Sequence, residues 1–194
     1  MGRPREFDVD AALDRALQVM WAKGYESASL DDLCDATGLG RSSLYAAFGD
    51  KRALYLRALE RYEEAAAQRV NDALARPVPV REAIAGFLER LIDDIVAGPG
   101  RRGCFIGNCA AELPRGDREA AAHVRRSLGR IETAFRDALA RAQARGEIDA
   151  AADPRALARF LPAGIQGLRL VGKVNPDRAV LDDIARVMLR CLTG

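Results

Sequence analysis

At 194 residues the chain is long enough to bury a sizeable core, as one compact unit or two small domains. Half of it is apolar (49%) but only 6% is aromatic, and Ala, Leu, Arg and Glu abound, a mix that favours helices. A net charge of +2 does not by itself announce a polyanionic partner, and the absence of an apolar run of about 18 residues or an N-terminal apolar segment argues against membrane spanning and secretion.

In chain order, Met1 to Phe7 form a polar arm carrying Arg3 and Arg5. Asp8 is placed to cap a helix running to about Lys23, with Ala12, Leu13, Ala16, Leu17, Met20 and Trp21 on one face and Gly24 at its end. Ser29 then caps a short helix whose first turn holds Asp31 and Asp32, and Gly38 stops it. Leu39 drops inward between two glycines, and a second short helix begins near Arg41. Leu30, Leu33, Leu39, Leu44 and Phe48 share one apolar face, which leaves Arg41, Ser42, Ser43 and Tyr45 as polar tips on the second helix. That layout is a helix-turn-helix, a motif that sets its second helix in a DNA major groove.

Asp50 caps a long helix from Lys51 to about Arg76, ended by Pro77 and Pro79. A further amphipathic helix spans 80–96, and residues 98–103 form a loop. Cys104 to Leu113 form a short apolar helix closed by Pro114, and a long one runs from Asp117 to about Arg145. Asp153-Pro154 opens a helix to Val174 that Pro162 should kink, and Asn175-Pro176 repeats the opening device before the last helix. The fold expected is all-α, with about nine helices: residues 1–50 as a three-helix DNA-binding domain and 51–194 as a helical ligand-binding and dimerisation domain.

Residues 38–54, Gly-Leu-Gly-Arg-Ser-Ser-Leu-Tyr-Ala-Ala-Phe-Gly-Asp-Lys-Arg-Ala-Leu, together with Ala16, Trp21, Gly24 and Tyr25 upstream, resemble the signature of TetR/AcrR-family transcriptional regulators. Detailed likeness covers roughly residues 8–62; the remainder agrees in length and helical character. Ala46 and Ala47 are smaller than the family often carries, and Gly40 replaces the usual Ser or Thr cap. Residues 1–62 hold nine Lys/Arg against ten Asp/Glu, so placement rather than total charge must favour phosphate, within about 8–10 Å of each cation.

The expected DNA-binding set is Ser29, Arg41, Ser42, Ser43, Tyr45, Phe48 and Lys51. Arg41 is the best base reader, because a guanidinium can pair bidentately with guanine. The resemblance implies that Tyr45 and Lys51 hold phosphates, with core packing the alternative for Tyr45. One such helix reads too little sequence, so a homodimer on a pseudo-palindromic double-stranded operator is expected, its seam the apolar stripes of the last two helices near Gly164 and Gly167, the alternative being that these stripes only close the monomer's own core.

The resemblance also implies a small-molecule effector in the C-terminal domain, lined by Phe87, Leu91, Ile95, Cys104, Phe105, Asn108, Phe135, Leu139, Phe160 and Gln166. Residues 102–113 look like a branch of the family in which Gly-Cys opens the sixth helix and which includes sensors of reactive electrophiles. Cys104, after two arginines at a helix start, is then a redox or electrophile switch with Lys173 or Cys109 as neighbours, or else a small buried hydrophobe.

No CxxC or HxxxH pairing is present, so no metal or cofactor is expected; on a helix Cys104 and Cys109 would rise about 7.5 Å apart, too far for an unstrained disulfide. Nucleophile, base and metal constellations are lacking, and His123 on a charged helix reads as solvated, so no enzyme is expected. The function expected is a cytoplasmic repressor released by a small apolar or electrophilic effector; the alternative is a helical ligand- or protein-binding module without DNA binding.

Overall fold

Local chemistry at the helix ends sets the architecture. In the computed structural model, which describes residues 7–112 and 117–192, nine α-helices form: α1 (Val9–Lys23), α2 (Leu30–Thr37), α3 (Arg41–Phe48), α4 (Lys51–Leu74), α5 (Val80–Ala97), α6 (Phe105–Glu112), α7 (Arg118–Ala144), α8 (Pro154–Val174) and α9 (Arg178–Arg190). Among the described residues there is no strand, and no helix is long and apolar enough to cross a membrane. The arm with Arg3 and Arg5, and the Leu113-Pro114 end of the sixth helix, lie outside the described residues.

Side-chain caps begin most of these helices. Asp8 accepts from the Asp10 and Ala11 N–H groups at 2.9 and 3.0 Å, and Asp50 from Ala53 at 2.7 Å. Ser29 and Asp32 form a reciprocal capping box: the Asp32 N–H donates to Ser29 Oγ at 3.1 Å and the Ser29 N–H to Asp32 at 3.0 Å. Gly38, at φ 72°, ends α2 in the left-handed conformation and turns the chain into α3. Gly40 at the start of α3 offers no side-chain cap.

Three expectations are corrected. The cap of α9 is Asp177, which accepts from Ala179 at 2.8 Å, and not Asn175; Pro176 precedes the cap instead of opening the helix. α6 begins at Phe105, so Cys104 stands just before it, its carbonyl accepting from Asn108 at 2.8 Å. His123 is buried rather than solvated, at 6% exposure. Its Nδ1 accepts from Arg126 at 2.8 Å, since a guanidinium can only donate, and its Nε2 lies 3.9 Å from Glu60. α8 passes through buried Pro162 as one element.

Two cores result, and α4 belongs to both. The first gathers Leu13, Leu17 and Met20 of α1, Leu33 of α2, Leu44 and Phe48 of α3, and the first half of α4, sealed by Phe105, Ile106 and Cys109 of α6. The second packs the end of α4 with α5, α7, α8 and α9 around Ile84, Leu88, Ile92, Phe135, Leu139, Leu161 and Leu168. Where they meet, Phe105 touches three rings: Tyr55 and Tyr62 edge-on, with centroids 5.7 and 5.8 Å away, and Trp21 at 6.5 Å. α6 is therefore clamped between the helix-turn-helix unit and the larger bundle.

Candidate nucleic-acid interface and effector cleft

α3 buries only Leu44 and Phe48, so the rest of its surface is free to meet a ligand. Arg41, Ser42, Ser43 and Ala46 are exposed, and Tyr45 is 42% exposed, which excludes the core-packing alternative for its ring. Arg41 is held by Asp31 at 2.6 Å, a pair that raises the guanidinium's already high pKa and must open before Arg41 reaches a base. Phe48 is the exception in the expected set. It is 4% exposed, with the Arg57 guanidinium 4.9 Å above its ring, so it supports α3 from behind and cannot touch DNA. Ser29 stays exposed while its hydroxyl caps α2. Lys51 is half-buried, its ammonium 4.7 Å from the Tyr25 ring and 3.3 Å from the Glu26 carbonyl, at the start of α4.

The C-terminal set divides. Phe87, Cys104 and Gln166 line a cavity of about 40 Å³ between α4, α5, α7 and α8, together with Tyr62, Leu128, Ile165 and Arg169. Cys104, Asn108 and Gln166 also line a second, apolar cleft of about 380 Å³, with Val124, Leu170 and Lys173. Leu91 lies one groove away, between α4 and α5, beside Phe87. Phe105 belongs to the ring cluster at the junction, while Ile95, Phe135 and Leu139 are filled core. Phe160 is corrected outright: at 43% exposure it points off α8 and lines none of these spaces. Tyr62, Leu128 and Arg169 are residues the sequence reading missed. For Arg169 the signal was a row on α8, Pro162, Ile165, Gln166 and Arg169, at helical spacing with two polar members; Tyr62 and Leu128, on α4 and α7, carried none.

Each buried thiol of this region meets a tyrosine of α4. Tyr62 neighbours Cys104, and Tyr55 neighbours Cys109; burial foremost, then the neighbouring sulfur, raises both phenols well above their usual range. Burial likewise raises the Cys109 thiol, partly offset by the Tyr55 hydroxyl. The arginines expected beside Cys104 are engaged elsewhere. Arg102 stacks 4.4 Å over Trp21 and donates to Gln18 at 2.7 Å, and Arg101 donates to the Ile95 and Val96 carbonyls at 3.2 Å. Lys173 donates to Asn108 at 3.2 Å, within the cleft that Cys104 lines. Among the described residues no group of His, Cys, Asp and Glu side chains could hold a metal ion.

Residues 12–58 match the tetR family of bacterial regulatory proteins, and residues 81–188 match a tetracyclin repressor-like C-terminal domain. The HTH-type transcriptional regulator YezE of Bacillus subtilis is 36% identical over 193 residues, covering 99% of this chain and 100% of that protein. The HTH-type transcriptional repressor ComR of Escherichia coli is 33% identical over 190 residues, covering 97% and 90% respectively. A cysteine mutant of the TetR family regulator CifR, solved in complex with 26 bp double-strand operator DNA, superposes with a TM-score of 0.84 at 34% identity, covering 97% of this chain and 98% of that one. This chain belongs to the TetR family and is a DNA-binding transcriptional regulator, not an enzyme.

Proposed function

We propose that the chain is a homodimeric repressor that reads a pseudo-palindromic operator with α3 and leaves it when a small apolar or electrophilic effector enters the cleft beside Cys104. In this reading residues 1–50 bind DNA and residues 51–194 bind effector and partner subunit. The observation that carries it is the free face of α3: Arg41, Ser42, Ser43 and Tyr45 are displayed in a row while Leu44 and Phe48 anchor the helix from behind. The CifR complex supports the operator, and ComR supports repression.

Dimerisation is supported by apolar side chains that the monomer leaves uncovered. Phe160, Leu170 and Val174 on α8, and Val180 and Val187 on α9, are 37–85% exposed. Gly167 on the same side of α8 has open space where a side chain would stand, room for a partner helix to approach. Two such subunits set their α3 helices on half-sites about 34–36 Å apart, or a multiple of it.

Cys104 is the proposed electrophile target. It is 8% exposed, borders both the small cavity and the larger cleft, and lies beside Tyr62 of α4. An adduct directed into the cavity of about 40 Å³ would press α4 and α8 apart.

A mobility-shift titration against the DNA upstream of the protein's own gene tests the reading, with an Arg41→Ala/Tyr45→Phe variant alongside. The wild-type protein should bind with affinity falling steeply as salt rises, and the variant should lose at least about tenfold. Equal shifts by both proteins would remove α3 from the interface. N-ethylmaleimide should release the wild-type protein and leave a Cys104→Ser variant bound; release of both would acquit Cys104.

A further inference from the structure

The groove between α4 and α5 carries positive charge that the protein itself does not neutralise. Arg69 of α4, Arg76 in the turn that follows it, Arg90 of α5 and Arg169 of α8 line a space of about 430 Å³. Among the described residues none of the four lies within ion-pair distance of a carboxylate, although most arginines of this chain for which a contact is described have one. Two acids share the wall. Asp72 accepts from Gln68 at 2.7 Å, and Asp94 bonds none of the four. Four cations therefore face two anions.

The cations also converge. Gly86 of α5 has no side chain, and over the position a Cβ would take lie Arg76 Nη1 at 3.0 Å and Arg90 Nη1 at 3.7 Å. Two guanidinium groups drawn together without a carboxylate between them repel, and an anion placed against both relieves that repulsion and takes charge-assisted hydrogen bonds from each. The planar, forked guanidinium suits the two oxygens of a carboxylate or phosphate.

The groove has a direction. Arg69, Phe87 and Arg169 line it and also line the small cavity that reaches Tyr62, Ile165 and Cys104. The charges of Arg69 and Arg169 reach the Tyr62 hydroxyl, where they oppose the rise that burial causes. A cationic mouth thus opens past an aromatic ring into an apolar slot. We infer that this groove binds the charged head of an organic anion, a carboxylate or phosphate ester, whose apolar tail passes Phe87 toward Cys104. This deepens the effector reading above and rests on it, because the tail would end at Cys104, in the small cavity that adjoins the cleft proposed for the effector. The slot's present volume holds only a methyl group or two, so a longer tail must widen it.

The test is direct binding to the full-length protein without DNA, by calorimetry and by the fluorescence of Trp21, the chain's one tryptophan. The probes are octanoate, octyl phosphate, neutral octanamide and inorganic phosphate. Octanoate or octyl phosphate should bind at least about tenfold more tightly than octanamide and inorganic phosphate, and which of the two leads identifies the head. Arg76→Gln/Arg90→Gln should weaken the better anion about tenfold or more and leave octanamide unchanged. Arg169→Gln supplies a second variant should the double one fold poorly. Octanamide binding as tightly as the anions, inorganic phosphate binding as tightly as octyl phosphate, or no binding of either amphiphile at millimolar concentration would each overturn the inference. Operator binding measured on the same preparation separates the two proposals. Operator bound without octanoate or octyl phosphate leaves the regulator reading and removes this site; the reverse leaves the site and removes that reading.

Discussion

Replacing Asp117 by Asn isolates the charge that fastens α4 to α7. The carboxylate takes two parallel hydrogen bonds from Arg52, at 2.9 and 2.8 Å, and a third from the Ala120 N–H at 3.0 Å, so it is both ion-pair partner and helix cap. Its side chain is 12% exposed, and Arg52, which also bonds Glu119 at 3.2 Å, is 41% exposed. The guanidinium foremost, then the helix N–H, lowers the carboxyl from 3.8 to about 2. A displacement of that size would be worth about 2.4 kcal/mol at most. Solvent around Arg52 screens the pair, and about 1–1.5 kcal/mol is the expected contribution. Asn keeps the shape and the capping oxygen and removes only the charge.

Because the folded carboxyl titrates below the unfolded one, its stabilisation is complete above the unfolded value of about 4 and is lost as pH falls toward 2. Urea unfolding of wild type and Asp117→Asn should therefore differ by about 1–1.5 kcal/mol at pH 7 and pH 5, and the difference should shrink through pH 4 and 3. The slopes against urea should agree. A difference as large at pH 3 as at pH 7 would mean that packing rather than charge holds the clasp, and no difference at pH 7 would mean that the clasp contributes nothing.

Three more outcomes are expected. Ser29→Ala should cost about 1 kcal/mol in thermal or urea unfolding by removing the hydroxyl half of the α2 capping box. Gly172→Ala should destabilise by about 1–3 kcal/mol, because the added Cβ would stand 2.6 Å from the methyl of Ile95, which is fully buried; a calorimetric midpoint equal to wild type would refute the close α5–α8 contact. Leu170→Glu/Val174→Glu should halve the mass seen by analytical ultracentrifugation while the far-ultraviolet circular dichroism stays helical, since both side chains face solvent in the single subunit at 67% and 85% exposure.

The helix-turn-helix was legible because each of its signals is local. A capping serine, a left-handed glycine and a short apolar face act within a few residues, and no distant partner is needed to interpret them. The larger bundle was legible as helices but not as a cavity. Phe87, Phe105, Phe135 and Phe160 looked alike in sequence, yet they fall to a groove, the ring cluster, the second core and the outer surface respectively. Helical spacing says that a phenylalanine has a face; only the packing of other helices says what lies opposite. His123 shows the converse. Its stripe on α7 is Ala120, His123, Val124 and Ser127, all buried, and a stripe made of small and polar residues leaves no hydropathic trace. The arginines before Cys104 were read by proximity in sequence, whereas the 3₁₀ turn over Pro99–Arg102 aims them at Trp21 and at the end of α5.

The position of α6 explains how a small occupant could act over a long distance. Arg102, just before it, binds Gln18 and Trp21 of α1, Phe105 within it packs on Tyr55 and Tyr62 of α4, and Glu112 at its end accepts from the Tyr25 N–H at 3.4 Å. Cys104 and Cys109 pack in the same core as these two tyrosines. In the proposed mechanism, parting α4 from α8 beside Cys104 displaces α6 against α1 and tilts α4. α4 has 24 residues, a rod of about 36 Å, and its cap Asp50 follows α3 after a single glycine. A tilt of about 5° over that length moves the far end by about 3 Å. In the proposed dimer the two-fold axis doubles the radial part of each shift in the separation of the α3 helices, against half-sites whose separation the DNA fixes at about 34–36 Å or a multiple. A misfit of several ångströms breaks hydrogen bonds that reach only about 3 Å, so under the proposed mechanism a small opening of the cavity of about 40 Å³ is enough to release the operator.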